Sequence, residues 1–518
     1  MISSEVKNHN GVPTLFVNGQ VCPGIAYMTY LEEYARYGQF AEAGYKLYSV
    51  PVLFAGRWIS VTEGMKPFHS GIFDNKGKAD FSSFEHSVEL ILNSCPDALI
   101  IPRINISMPL WWIEENPDCL DSTGNRELLS SEKWRNDAGK LLKAFLDYLN
   151  TSEYASHIAA LHLAGGNTEE WFYFDMKGGC CENAVPEFKK YLAGRGPEFA
   201  GLPDLAPLGD AGTELHGSEY LRLFLDYSNN AVADSVKYFA GIAKECTARR
   251  LAVGVFYGYS LEVPSSLMGA HALKKLLVCR DIDFICSPNS YIGNRDRDTE
   301  WSEMYAADSV RLHGKMCMQE CDIRTHLTKP LPECAPEYDT LKKMTAPIWH
   351  GLKSKADSLR MIRKSFDRQL RKGNGLWWFD MWGGWYDDPD IMLEMKKMRG
   401  EYIAAINMPD RKKAADIAVF VDEDAYSYMG GCALRFAPFD MRRELGKISG
   451  SYDMYDVFDF DTVKDRYGKF IFISGQITPA SKRAVEYCKE NRIPFLCNSF
   501  GKEYFTAEEI EAKFEGNY

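Results

Sequence analysis

The chain has 518 residues, of which 46% are hydrophobic and 25% charged; at roughly 150 residues per domain this suits two or three units, or one large barrel with an appendage, and it excludes a disordered or collagen-like chain. Sixty Lys and Arg against 72 Asp and Glu give a formal charge of −12, and no basic run with interleaved aromatics offsets it, so nucleic acid is not the expected partner. No stretch of about 18 apolar residues occurs, and Met1 to Pro13 lacks the apolar core of a signal peptide, so the expectation is a cytoplasmic protein without a membrane partner.

The opening segment Leu15 to Val21 carries Asn18-Gly19 between apolar flanks, a hairpin signal, and residues 1–22 are expected to form a small hairpin. From there strands and helices alternate. A short apolar run Gly24 to Met28 is followed by a helical stretch Tyr30 to Ala43 and a β-rich run Tyr45 to Leu53. Helix Ser82 to Cys95 leads into strand Ala98 to Asn105, and helix Ser131 to Leu149, with Trp134, Ala138, Leu142 and Phe145 on one face, leads into strand Ile158 to Ala164. A long loop and helix Ser218 to Ala248 return to strand Leu251 to Tyr257. Helix Ser265 to Leu277 precedes strand Phe284 to Ser287, helix Glu303 to His313 precedes Lys315 to Gln319, and helix Lys355 to Arg371 precedes Gly375 to Phe379. Eight such units over residues 23–409, with near-continuous apolar strands and no GxGxxG after the first, predict a (β/α)₈ TIM barrel rather than an open doubly wound sheet.

Asp410 to Lys413 reads as a linker. Residues 410–518 repeat an α/β pattern, with strands Ile417 to Val421, near Tyr455 to Phe458, Phe470 to Ser474 and Pro494 to Cys497, and helices Pro438 to Leu445 and Pro479 to Asn491. This predicts a smaller flavodoxin-like α/β domain, with scaffolding or subunit contact as its role, since it offers no phosphate loop or nucleophile elbow. Its last helix starts at Thr506, with Glu509 at capping-box spacing. The 14 cysteines include no CxxC pair and the ten histidines are scattered, so neither a metal nor a cofactor is expected.

In such a barrel the working face is the C-terminal ends of the strands. Those ends are aromatic and acidic here: Arg57-Trp58 after strand two; Arg103, Asn105, Trp111 and Trp112 after three; Asn167, Glu169, Glu170 and Trp171 after four; Tyr257 and Tyr259 after five; Asn289 and Tyr291 after six; Glu320, Asp322 and Arg324 after seven; Trp377, Trp378, Asp380, Trp382 and Trp385 after eight. Eight of the 11 tryptophans fall there, where flat rings can stack on the CH faces of sugars. Cleaving a glycosidic bond needs one carboxylic acid for the leaving oxygen and one carboxylate at the anomeric carbon, and strands four and seven both end in Glu. A gap of about 5–5.5 Å between the two would retain configuration through a covalent intermediate.

These residues resemble the clan A retaining glycoside hydrolases, with acid/base Glu after strand four and nucleophile Glu after strand seven. Arg103-Ile104-Asn105 followed by Met108-Pro109-Leu110-Trp111-Trp112 and Asn116-Pro117, together with Ser287-Pro288-Asn289-Ser290-Tyr291 and the appended α/β domain, is similar to β-galactosidase family forty-two. The clan places Asn directly before the acid/base Glu; here the string is Gly166-Asn167-Thr168-Glu169-Glu170-Trp171, a looser form shared with the β-mannosidase-like family one hundred and sixty-four. The resemblance implies a retaining exo-β-glycosidase that removes a terminal β-linked galactose or mannose from an oligosaccharide or glycoside, with Glu320 as nucleophile, Glu170 as acid/base and Glu169 as its rival. It further implies a homo-oligomer, a trimer in family forty-two. Expected substrate-binding residues are Trp58, Arg103, Asn105, Trp112, Asn167, Trp171, Tyr257, Asn289, Tyr291, Trp378, Asp380 and Trp382. Glu320 should be kept ionised by a donor such as Arg103 or Tyr291, and Glu170 kept protonated by burial against Trp171 and by the charge of Glu320.

Each assignment has a plainer counterpart. Glu169 and Glu170 could be solvated loop carboxylates, Arg103 an internal ion-pair partner, Asp322 and Arg324 a structural pair, and His162 a core histidine. Two other functions fit the same barrel: a catalytically silent sugar-binding protein, and a metal-dependent hydrolase in which His162, Asp322 and His326 would have to converge.

Overall fold

The computed structural model describes residues 2–57, 65–166, 169–173, 181–208, 217–263, 265–291, 295, 301–412, 415–430, 435–498 and 504–515. Eight parallel strands, β4 (Ile25–Met28), β5 (Leu47–Leu53), β6 (Leu99–Asn105), β7 (Ala160–Ala164), β8 (Ala252–Phe256), β9 (Phe284–Pro288), β10 (Met316–Cys321) and β11 (Gly375–Phe379), close on themselves in chain order. Nearly every residue in them is buried, as strands covered by helices outside and packed side chains inside must be. The fold is therefore a (β/α)₈ barrel.

Before the barrel runs a three-stranded antiparallel sheet of β1 (Ser4–His9), β2 (Val12–Val17) and β3 (Gln20–Val21). Asn18 and Gly19 both have positive φ (50° and 76°), the backbone of a two-residue turn that pairs Val17 with Gln20. Asn10 and Gly11 make a second turn of the same kind (φ 53° and 89°) that the sequence reading passed over. The sheet covers the strand-start end of the barrel: Ser4 N–H donates to Arg250 O at 2.7 Å, and Ala252 N–H donates to Ser4 Oγ at 2.8 Å.

The outer helices follow their caps. Helix Glu132–Thr151 starts on Ser131, whose Oγ accepts from Trp134 N–H at 3.3 Å, and buries Trp134, Ala138, Leu142 and Phe145. Helix Lys355–Lys372 starts on Ser354 and ends at Gly373 in the left-handed region, φ 69°. Three expected helices are shorter than their apolar periodicity suggested. Tyr30 to Ala43 is only a 3₁₀ turn, Glu32–Tyr34, and a short helix, Tyr37–Glu42, because Tyr30 is drawn to the barrel mouth, its N–H donating to Met381 O at 3.1 Å. Ser265 to Leu277 breaks at Gly269 (φ 79°), whose carbonyl accepts the Tyr257 hydroxyl. Glu303 to His313 becomes helical only at Ala307, because the Glu303 carboxylate is engaged by Arg368 (2.6 Å) and Asn374 (2.9 Å).

After the barrel comes a four-stranded parallel sheet in the order β13–β12–β14–β15: β12 (Ile417–Val421), β13 (Tyr452–Asp456), β14 (Phe470–Ile473) and β15 (Phe495–Cys497). This is a flavodoxin-like arrangement with a core of its own around Phe420, Phe460, Phe470 and Phe472. Strand β13 begins three residues earlier than its apolar content indicates, since Asp453 and Asp456 mask the pattern. The sheet is tied to the barrel by buried Asp308, which holds Arg311 (2.9 Å), Lys412 (2.7 Å) and Met454 N–H (2.8 Å). Among the described residues, no helix is long and apolar enough to cross a membrane.

Candidate active site

Alternation along the strands decides what reaches the barrel mouth. On β6, Arg103 and Asn105 share the inward face; on β11, Trp377 and Phe379 do, with Trp378 turned outward. The Arg103 guanidinium is boxed by Phe256 at 4.6 Å, Phe379 at 5.7 Å, Tyr30 at 5.9 Å and Trp377 at 6.0 Å. It bridges two carboxylates: Nη2 lies 2.5 Å from Glu169 Oε2, and Nη1 lies 2.9 Å from Glu320 Oε2. Tyr30 donates to the same Glu169 oxygen at 2.6 Å.

Glu170 stands apart from this clamp. Beyond β7, Gly165 accepts Trp171 N–H at 2.8 Å and donates to Glu169 O at 3.2 Å, so the chain folds back on itself, and Glu169 and Trp171 both sit in the left-handed region (φ 76° and 58°). Gly165 is required here, since a Cβ would stand 2.5 Å from the Trp171 ring. The loop presents Glu170, partly exposed, between two fully buried neighbours. Its Oε1 accepts the Tyr259 hydroxyl at 3.0 Å, while Oε2 has no partner among the described residues.

The electrostatics follow from one guanidinium serving this cluster. Burial raises the Glu169 carboxyl, opposed by Arg103, Tyr30 and Asn105. Burial raises Glu320 to about 7 against the pull of Arg103, so Arg103 does not hold it in the ordinary carboxylate range, as had been expected. Glu170 is pushed well above that range, by burial first and then by the charges of Glu320 and Glu169, with Arg103 and Tyr259 opposing. Just beyond β10, buried Asp322 is neutralised by Arg295 and Arg324, an ion-pair arrangement of structural character.

Of the expected site residues, Arg103, Asn105, Glu169, Glu170 and Glu320 come together, and Tyr291 stays close enough that its hydroxyl, raised first by burial, is raised further by the charges of Asp322 and Glu320. Tyr291 makes no hydrogen bond to Glu320 among the described residues; Arg295 lies over its ring at 4.7 Å. Trp382 joins a wall of rings with Phe68 (5.8 Å) and Trp349 (5.6 Å). Trp58 and Asn167 lie outside the described residues. The other six are corrected. Trp112 is anchored to Asp137 on an outer helix (3.1 Å), Trp171 plugs the barrel wall against Phe239 with Nε1 donating to Leu163 O (3.2 Å), and Trp378 donates outward to Tyr45 (2.9 Å). Tyr257 braces Gly269 and Ala272, Asn289 is bonded to Ser365 and Gln369, and Asp380 takes Tyr27 OH (2.8 Å) and the N–H groups of Gly384 (2.9 Å) and Trp385 (2.8 Å). Each satisfies local backbone or helix contacts instead of facing the mouth.

The histidines diverge as well. His162 is buried between Phe256 and Trp377, its pKa lowered well below the usual value, whereas His326 bonds to Ser358, so these two and Asp322 share no point of convergence. Sequence reading missed Tyr30 and Phe256 as site residues, and it named Tyr259 and Trp377 at the strand ends without giving them a substrate-binding role. The signal for Tyr30 was its place just after the first strand, the one strand end from which no residue had been nominated.

No protein-family profile matches the chain, and no curated protein does. The fold is shared with solved structures. A β-galactosidase from the psychrophilic Marinomonas ef1 superposes with a TM-score of 0.57 at 12% identity, covering 89% of this chain and 74% of that one. A β-galactosidase from Bacillus circulans sp. alkalophilus gives 0.55 at 14% identity over 89% and 69%, and one from Rahnella sp. R3 gives 0.54 at 12% over 91% and 70%. At these identities the likeness is one of fold, extending over both the barrel and the smaller α/β sheet.

Proposed function

We propose that this protein is a retaining β-glycosidase that removes a terminal β-linked hexose, galactose or mannose, from a small oligosaccharide or glycoside. The observation that carries the reading is the division of three neighbouring carboxyl groups by one guanidinium: Glu169 and Glu320 share Arg103, and Glu170, held by Tyr259 alone among the described residues, does not. A carboxyl so placed holds its proton more tightly than an ordinary one and can donate it to the glycosidic oxygen as the bond to the leaving group breaks. Glu320, in its ionised form and oriented by Arg103, attacks the anomeric carbon to form a glycosyl ester. Glu170, now a carboxylate, takes a proton from water, and the hydroxide displaces Glu320. Glu169, fully buried and held by Arg103 and Tyr30, orients the guanidinium rather than exchanging protons. The three β-galactosidases that share the fold support a β-linked hexose as substrate.

Hydrolysis of a panel of aryl β-glycosides by wild type, Glu320→Ala, Glu170→Ala and Glu169→Ala, with and without azide, tests this. Cleavage of one sugar by wild type, loss in Glu320→Ala, and azide rescue of Glu170→Ala but not of Glu169→Ala are expected. Rescue of Glu169→Ala instead would exchange the two roles, and binding of sugars without cleavage by wild type would leave a silent sugar-binding barrel.

A further inference from the structure

One residue of the C-terminal α/β region reaches the barrel mouth through an unbroken chain of contacts. Arg442, on the short helix Met441–Leu445, is completely buried. Its Nη1 donates to Leu261 O at 2.7 Å and to Glu262 Oε2 at 2.9 Å, and its Nε donates to Ser302 Oγ at 2.9 Å. All three acceptors belong to loops that leave β8 and β9 at the strand-end face. The Glu262 carboxylate in turn receives Tyr291 N–H at 2.7 Å and Ser290 OH at 3.0 Å, linking the two loops. Glu262 N–H donates to Tyr259 O at 3.0 Å, closing a turn that starts at Tyr259, and Leu261 N–H donates to Met304 O at 2.8 Å. Tyr259 holds Glu170 through its hydroxyl.

We infer that Arg442 is a positioning residue for the acid/base carboxyl: it fixes the Leu261–Glu262 turn, and through it the Tyr259 hydroxyl that orients Glu170. This rests on the glycosidase reading above. A buried guanidinium bonded to a carboxylate and a carbonyl has strong geometric preferences, and a displaced turn would carry the Tyr259 hydroxyl out of hydrogen-bond reach of Glu170. The groups around Glu170 from other elements, Arg103, Glu169 and Glu320, are not tied to Arg442 directly, so disturbance of the turn should fall first on proton donation. The C-terminal region is thereby part of the catalytic architecture and not only scaffolding.

Proton assistance matters when the leaving group is a poor one and little when it departs unaided. The test compares Arg442→Met, Arg442→Lys, Glu262→Gln and Tyr259→Phe in the full-length chain on a phenyl and a dinitrophenyl glycoside of the sugar that wild type cleaves. Arg442→Met is expected to lose roughly tenfold to a hundredfold in kcat on the phenyl glycoside, with KM nearly unchanged, and less than about twofold on the dinitrophenyl glycoside. Tyr259→Phe and Glu262→Gln should show the same split, and Arg442→Lys should recover part of it. Equal losses on both substrates in a folded Arg442→Met or Glu262→Gln, or no loss on either, would overturn the assignment. If Arg442→Met does not fold, Glu262→Gln and Arg442→Lys decide by the same split. Inactivity of wild type on every substrate would remove the glycosidase reading and this role with it, whereas an active wild type lacking the split removes only the role of Arg442.

Discussion

Two clusters of buried carboxyl groups occupy equivalent places in the two parallel sheets, each at the C-terminal ends of the strands. In the barrel the cluster is Glu169, Glu170 and Glu320; in the smaller sheet it is Asp422, Glu423 and Asp456, at the ends of β12 and β13. Burial raises carboxyls in both, Glu320 and Glu423 each to about 7 and Glu170 and Asp456 well above their ordinary values. The surroundings differ. The barrel cluster contains a guanidinium and one partly exposed member, whereas every member of the sheet cluster is buried, with Thr478 OH on Asp422 (2.5 Å), Leu273 N–H on Glu423 (3.0 Å) and Phe458 N–H on Asp456 (2.9 Å). A raised pKa is thus the common consequence of burying acids at strand ends. What sets the barrel cluster apart, and supports the reactive role proposed for it, is a guanidinium that bonds two of its members and leaves the third to Tyr259.

The largest effect expected from this comparison is on turnover. Glu320→Gln should reduce kcat by roughly 10⁴-fold or more, as loss of a nucleophile does, while Asp456→Asn should leave kcat within about threefold of wild type; equal losses in the two variants would erase the distinction. Of intermediate size is the pH dependence. On the proposed mechanism Glu320 must be ionised to attack, and it rises to about 7, so kcat/KM should fall about tenfold per pH unit below that value. On the same mechanism Glu170 must be protonated, and burial raises it as well, so the alkaline limb is expected above the ordinary carboxylate range. An acid limb in the ordinary carboxylate range would contradict the burial and charge arrangement described for Glu320. The smallest effect is on stability. Between its ordinary value of 4.5 and about 7, folded Glu320 keeps a proton that the unfolded chain has released, so its contribution is full below pH 4.5 and is lost as pH rises through 7. The same sign holds for Asp456. At pH 8, Glu320→Gln and Asp456→Asn should each raise Tm by about 1–3 °C, a gain that shrinks toward pH 5 in thermal melts, although only the first change abolishes turnover.

Much of the barrel is legible in the sequence because its strands are short apolar runs whose ends lie within two residues of those observed. Arg103 and Glu320 stand out because a charge inside such a run has to be paired. The aromatic residues were harder to place. Trp377 and Trp378 are adjacent and chemically alike, and the one-residue offset that sends the first inward and the second to Tyr45 depends on the phase of β11 against its neighbours. Trp112 and Trp171 follow strand ends yet are fixed by Asp137 and Phe239 on helices distant in sequence. Tyr30 lies 139 positions from Glu169, in a stretch whose periodicity favours helix, and only closure of the barrel brings the two together.

The sharing of Arg103 also bears on inhibition. One guanidinium is spread over two carboxylates, and a third carboxyl stands beside them, so this cluster itself holds three acids to one base. Such a cluster favours a small cation, and on the proposed mechanism the positive charge that gathers on a sugar ring as its glycosidic bond breaks is one. A sugar-shaped amine with its nitrogen at the ring position carries that charge permanently near neutrality. If the mouth serves a fleeting cation as proposed, the same excess of carboxyls over guanidinium in this cluster makes it a trap for a lasting one.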